Sequence, residues 1–289
     1  MQLGHLATAA GPTLFAADAS RWVDVPDALP GAPRTLDALV RADADWLPRI
    51  QHALATRGTP GFPDAPLAPA VTAPGMIVAI GLNYADHCRE FGVEPPTAPV
   101  VFAKHPSSLA GHGADVVWDT TVTDAVDWEV ELGVVIGAAA RDVSPETALD
   151  HVFGYTIVND VTARDIQKVE QQWVRSKSLD TFCPVGPVVV PAASVPDPQD
   201  LAVRARVNGV AMQDSSTKQM IFSVAEIISV LSRSFTLQPG DLIATGTPLG
   251  VGAFRTPPVR LADGDVMELE IEGIGTLVNT CRTTTGGTR

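Results

Sequence analysis

From residue 76 onward the chain is cut into short apolar runs, and their length is what most limits its fold. Residues 76–82, 130–136, 155–158, 185–190, 201–207, 242–244 and 266–271 are rich in Val, Ile and Leu and are bounded by turn-forming residues. Each is too short for an ordinary helix, and branched runs of this length read as strands. Among them only residues 222–231 carry a clear helical period. Strands at close intervals with few long helices predict a β-rich α+β domain over 75–282.

The upstream part reads differently. Residues 1–59 mix short apolar runs with Gly and Pro, and 36–55 show a helical period through Leu36, Leu39, Val40, Leu47 and Ile50, which predicts a small N-terminal domain. Between 60 and 74 stand prolines 60, 63, 66, 69 and 74. Each fixes φ and removes a backbone donor, so this stretch is expected to be a linker. The end, 283–289 (TTTGGTR), reads as a flexible tail.

At 289 residues the chain can bury a sizeable core without disulfides. Twenty basic against thirty-three acidic residues leave a net charge of −13, which disfavours nucleic acid and anionic membrane surfaces as partners. An anionic substrate would then need local basic groups. Cys88, Cys183 and Cys281 form neither a disulfide framework nor a zinc-ligand pattern, and no membrane-length apolar run or secretory leader is evident, so a reducing, cytoplasmic setting is expected.

The acidic residues are not scattered. In DWEVEL, 127–132, strand alternation places Asp127, Glu129 and Glu131 on one face. A solvated edge is the ordinary reading of such a face. Here the strand continues as an apolar run to residue 137, which draws Glu131 towards a core. Asp160 ends another apolar run, where an Asp often only caps a turn. Oxygen donors with no His or Cys beside them suit Mg2+, Mn2+ or Ca2+ rather than zinc or copper.

At this point whole segments become comparable. IGLNYADHCREFG at 80–92, DWEVELGVVIG at 127–137, GYTIVNDVTARD at 154–165, KSLDTFCPVGP at 177–187 and PGDLIATGTPLGVG at 239–252 resemble signatures of the fumarylacetoacetate hydrolase family, in that family's order. The resemblance implies a mixed β-sandwich roll with a small N-terminal domain, usually homodimeric, with its site at the mouth of the roll. It implies Glu129, Glu131 and Asp160 as metal ligands and Lys177 as a lysine beside them. Lys104, Arg164, Gln167, Thr181 and Thr247 become the substrate-side groups. Longer members carry a further upstream aspartate ligand; Asp124 and Asp127 are both possible equivalents here.

His87 and Glu90 sit three apart, within reach on one helix face. Alone, such a pair is usually a surface ion pair; in the family it is a general-base dyad on a lid, and the turn-rich residues 92–99 suit one. The implied substrate is a small 2-oxo acid. The first expectation is hydrolysis of a carbon–carbon bond in a 2,4-dioxo acid, of the acylpyruvate, fumarylpyruvate or dioxo-3-deoxy sugar acid type, through a pyruvate enolate. Oxaloacetate decarboxylation and isomerisation or tautomerisation of a 2-oxo acid use the same site and are the alternatives. A metal-binding scaffold without turnover would lack part of the set, and the set is complete.

Overall fold

The computed structural model describes residues 1–42 and 46–286. Strand Val130–Ile136 is buried along its whole length, as its unbroken apolar sequence requires. It pairs antiparallel with Val152–Asn159, Glu131 opposite Val158, and on its other side with Leu242–Ala244. The latter runs parallel to Ile77–Gly81, which Val100–Lys104 flanks at the sheet edge. Cys183–Pro191 lies on the far side of Val152–Asn159. A second, five-stranded sheet holds Val210–Ser216, Ala202–Val207, Val266–Ile271, Gly275–Thr284 and Asp115–Asp119 in that order. The resulting mixed, strand-dominated α+β fold is the one expected.

The strands of the second sheet alternate buried and half-buried positions, so that sheet covers the core with one face. Between the sheets, Val130, Leu132 and Val134 pack with Val203, Ala205, Leu269 and Ile271. The opposite parity, Val135 with Val158, Val185 and Val189, packs against Leu36, Ile50 and Leu54 from the N-terminal part.

That N-terminal part is joined by backbone as well as by packing. Gln2–Thr8 pairs with Cys183–Pro191 at Leu3↔Val189, so its hairpin extends the large sheet. The proline-rich stretch is docked on it: Leu67–Ala68 pairs with Gln2–Thr8, and Ala70 and Val71 are buried. The expected helical period over 36–55 becomes helices Leu36–Val40 and Trp46–Arg57, with residues 43–45 outside the described part.

Helix Val224–Ser234 begins two residues later than its apolar period suggests. Ser223 Oγ accepts from the Glu226 N–H while Glu226 returns the bond to the Ser223 N–H, a capping box that stops the helix from starting earlier. Of the expected tail, 283 and 284 belong to strand Gly275–Thr284, and 287–289 lie outside the described residues. Among the described residues no helix is long and apolar enough to cross a membrane.

Candidate active site

The large sheet opens at one end into a cavity of about 770 Å3. Glu129, Glu131, His87, Arg164, Gln167, Lys177 and Thr247 all line it. Asp127, the third acid of the expected face, lines it too, but the three do not lie on one continuous ladder. Val126–Asp127 pairs separately with Thr162–Ala163, the chain leaves the ladder at 128–129, and Val130–Ile136 begins only afterwards. Across that break Asp160 N–H donates to the Glu129 carbonyl at 3.0 Å, and Glu129 N–H to Asn159 Oδ1 at 3.1 Å. Glu129, Glu131 and Asp160 thereby bring one carboxylate oxygen each to within 4.8 Å of one another, all three buried.

Asp127 and Asp124 are not part of this cluster. Asp127 Oδ1 accepts from Arg164 Nε at 2.7 Å and its Oδ2 from the Ala253 N–H at 2.8 Å. Asp124 is exposed beside Arg260. Among the described residues the oxygen cluster therefore has three carboxylates.

Three cations pack around it. Lys177 Nζ bridges Glu129 Oε2 at 2.7 Å and Asp160 Oδ2 at 2.6 Å. Lys104 Nζ donates to Asp160 Oδ1 at 2.6 Å and to the Lys177 carbonyl. Arg164 reaches Glu129 Oε1 through Nη2, and Gln167 Oε1 accepts from its Nη1 at 2.9 Å. Against these three stand four buried carboxylates, Asp127, Glu129, Glu131 and Asp160, so one acid lacks a cation of its own. It is Glu131, whose Oε2 accepts from the Gly246 N–H at 2.9 Å.

The acidities follow this count. Burial alone would raise the Glu129 carboxyl, but the charges of Lys177 and Arg164 outweigh it and hold it at about 2. Burial, with the charges of Asp160 and Glu129 added, pushes Glu131 well above the carboxylate range. Burial would lower the Lys177 ammonium, yet Asp160 and Glu129 keep it raised. A surplus buried carboxylate among hard oxygen donors fits a divalent cation, which supplies the missing positive charge.

His87 lies on the short helix Ala85–Phe91, with Nδ1 3.0 Å from Glu90 Oε2. The other Glu90 oxygen accepts from the Gly250 N–H at 2.9 Å, so the carboxylate is held at both ends. The imidazole therefore offers Nε2 as its second nitrogen. Phe254 stands 5.6 Å from the His87 ring and 4.5 Å from Phe91, centroid to centroid.

Not every expected substrate group reaches the cavity. Lys104 is buried behind Asp160 and does not line it. Thr181, at φ 69°, gives its hydroxyl to the Val117 backbone, accepting from the N–H at 2.8 Å. Thr247 lines the cavity, but its hydroxyl already donates to the Val130 carbonyl and accepts from Gln213 Nε2, both at 2.9 Å. Other residues that build the site were not singled out in the sequence, although Asn83 lies within the 80–92 segment. Asn83 fastens the cavity floor to the Phe222 and Thr245 carbonyls. Gln213 Oε1 holds the Val130 N–H at 3.1 Å, and Trp173 packs on Phe102 and on the bare Cα side of Gly81. A buried amide on an alternating strand was the one signal for Gln213.

The family described as Fumarylacetoacetate (FAA) hydrolase C-terminal matches residues 76–282. This chain belongs to the fumarylacetoacetate hydrolase family. Oxaloacetate tautomerase YisK of Bacillus subtilis is 51% identical over 205 residues, 70% of this chain and 68% of its own length. A fumarylacetoacetate hydrolase from psychrophilic Exiguobacterium antarcticum superposes with a TM-score of 0.86 at 38% identity, covering 98% of this chain and all of that one. Maleylpyruvate hydrolase from Sphingobium sp. SYK-6, in complex with manganese(II) and pyruvate, gives 0.82 at 30% identity, over 98% of this chain and 99% of its own.

Proposed function

We propose that this chain interconverts the keto and enol forms of a small 2-oxo dicarboxylic acid of the oxaloacetate type, with Mg2+ or Mn2+ bound by Glu129, Glu131 and Asp160. The observation that carries this reading is that one cavity brings together a buried oxygen triad and an imidazole oriented by a carboxylate. The oxaloacetate tautomerase relative and the manganese-bound relative support it.

When bound, such an ion draws electron density from the 2-oxo group and makes the adjacent C–H acidic. His87 takes that proton from carbon at Nε2 and passes it to the 2-oxygen, and the reverse transfer restores the keto form, while Glu90 fixes the Nδ1–H tautomer and stabilises the imidazolium. Arg164 and Lys177 offset most of the negative charge of the buried carboxylates, which lowers the repulsion an anionic substrate meets in a chain of net charge −13. Gln167 and Arg164 face the substrate carboxylates. The Phe254 ring lies against the His87 imidazole and helps fix its place.

Hydrolysis of a 2,4-dioxo acid, the first expectation from sequence, takes second place. It is kept because the maleylpyruvate hydrolase shares the fold and the same dyad can activate a water molecule. We further propose a homodimer working in the cytoplasm; Cys88, Cys183 and Cys281 are all unpaired and buried, as a reducing compartment allows. The test follows enol-oxaloacetate by ultraviolet absorbance with Mn2+-loaded and chelator-treated protein, beside acylpyruvates and carbon dioxide release. Metal-dependent ketonisation is expected. Acylpyruvate cleavage without it would replace this reading by the hydrolytic one.

A further inference from the structure

We infer that Asp127 is a positioning residue that clamps segment 250–254 to Arg164 and, through that segment, sets the place of the His87–Glu90 pair. The catalytic half of this inference rests on the proton-transfer role given to His87 above.

Asp127 is 1% exposed, and its two carboxylate oxygens serve different parts of the site. Oδ1 accepts from Arg164 Nε at 2.7 Å; Oδ2 accepts from the Ala253 N–H at 2.8 Å. Neutralising Arg164 would need only the first of these bonds, and Glu129 already shares that guanidinium. The second bond ties down a backbone segment with contacts of its own. At one end the Gly250 N–H donates to Glu90 Oε1 at 2.9 Å, and Glu90 Oε2 holds His87 Nδ1 at 3.0 Å. At the other end the Phe254 ring lies 5.6 Å from His87, with the Arg164 guanidinium carbon 5.9 Å above it.

The segment is shaped for this approach. A Cβ on Gly252 would come within 2.3 Å of the Val259 carbonyl and 3.0 Å of Asp127 Cβ. At Gly250, φ is +100° and a Cβ would fall 2.0 Å from the Met212 carbonyl, so only glycine lets the backbone lie this close. Pinned at 250 by Met212 and at 253 by Asp127, the segment fixes Glu90 relative to the arginine beside the oxygen cluster. The base and the cation-binding carboxylates sit on different elements, and Asp127 is where their spacing is set.

Asp127→Asn keeps the shape but leaves one oxygen to serve two donors, and its NH2 then faces a donor. Gly252→Ala displaces the segment from its own side without altering any charge. Three quantities are measured: kcat and KM for oxaloacetate ketonisation, Mn2+ affinity by calorimetry, and amide hydrogen exchange over 250–254. Both variants are expected to lose about tenfold or more in kcat, because small misplacements of a reacting group are costly. In Gly252→Ala, KM and Mn2+ affinity should stay within about threefold, as no partner of Arg164 or of the oxygen triad is altered; in Asp127→Asn, KM should rise as well, because Asp127 is itself a partner of Arg164. Exchange over 250–254 should quicken in Asp127→Asn. The Asp127→Asn, Glu90→Gln double variant should be no slower than the slower single one, since both act through one path. Losses that multiply, or unchanged exchange, would overturn the clamp. Should the wild-type protein turn over no 2-oxo acid, the proposed function falls, and the exchange result alone still decides the clamp.

Discussion

Replacing Glu90 by Gln tests the proposed chemistry at its most specific point. The amide keeps an oxygen for the Gly250 N–H, now at 2.9 Å, so the local backbone has no reason to move. What is lost is the negative charge facing His87 Nδ1 at 3.0 Å, in a pair only 7% and 17% exposed. A charge-assisted hydrogen bond of this kind contributes about 1.5–3 kcal/mol. At about 1.36 kcal/mol per decade, that corresponds to a fall in kcat of about 10- to 150-fold if the imidazolium forms in the transition state. His87→Ala removes the base itself and should cost about 10²- to 10⁴-fold. Stopped-flow ketonisation of enol-oxaloacetate gives kcat, and calorimetry with Mn2+ gives metal affinity, which should change little because His87 is not one of the clustered carboxylates. Any oxaloacetate decarboxylation should fall far less, since the electron sink and not the base drives that step. Equal losses of both reactions in His87→Ala would refute this division and leave His87 a binding residue.

Glu131→Gln should weaken Mn2+ binding by at least about tenfold, since ligand charge sets affinity at oxygen sites, while chelator-treated protein keeps its thermal stability because burial and the charges of Asp160 and Glu129 already disfavour the ionised Glu131 carboxyl. Loss of stability in that metal-free variant would make Glu131 a structural residue. At His5, Nδ1 donates to the Pro69 carbonyl at 2.9 Å and Nε2 accepts from the Leu36 N–H at 2.8 Å. Burial lowers its pKa, with Pro69 and Asp37 opposing. The unfolded chain therefore takes up this proton first, and stability should fall as the pH drops below about 6.5 and level off above it. Urea unfolding of wild type and His5→Gln at two pH values checks this, and parallel pH curves would exclude it. Light scattering should give twice the 30.3 kDa chain mass, and a monomer under dilute conditions would remove the homodimer.

The strands were legible because burial and alternation leave a local pattern in residues 130–136 and 155–158, whereas the grouping of Glu129, Glu131 and Asp160 came from the resemblance of whole segments. That Asp127 shares the cavity with Glu129 and Glu131 but stands outside their oxygen cluster was not legible, because alternation holds only while the ladder continues, and it breaks at 128–129. The late start of helix Val224–Ser234 was readable in the S-x-x-E of 223–226, which the apolar fit of Phe222 overrode. Gln213, Trp173 and Phe254 join the site only through contacts far apart in sequence, and such pairings leave no local trace. The same holds for Thr181, whose hydroxyl is taken by a strand sixty-four residues away.

The single backbone pairing at Leu3↔Val189 alters what the catalytic region is as a physical object. Residues 76–282 carry Glu129, Glu131, Asp160, His87 and Glu90, yet they do not carry their own cover. A chain beginning at residue 75 would bare the edge of Cys183–Pro191 and, on the same face, Val135, Val158, Val185 and Val189. An open strand edge beside an apolar face is a template for self-association. The N-terminal segment thus acts as a built-in guard against aggregation, so that variation far from the cavity can change how much active protein survives without touching a reacting atom.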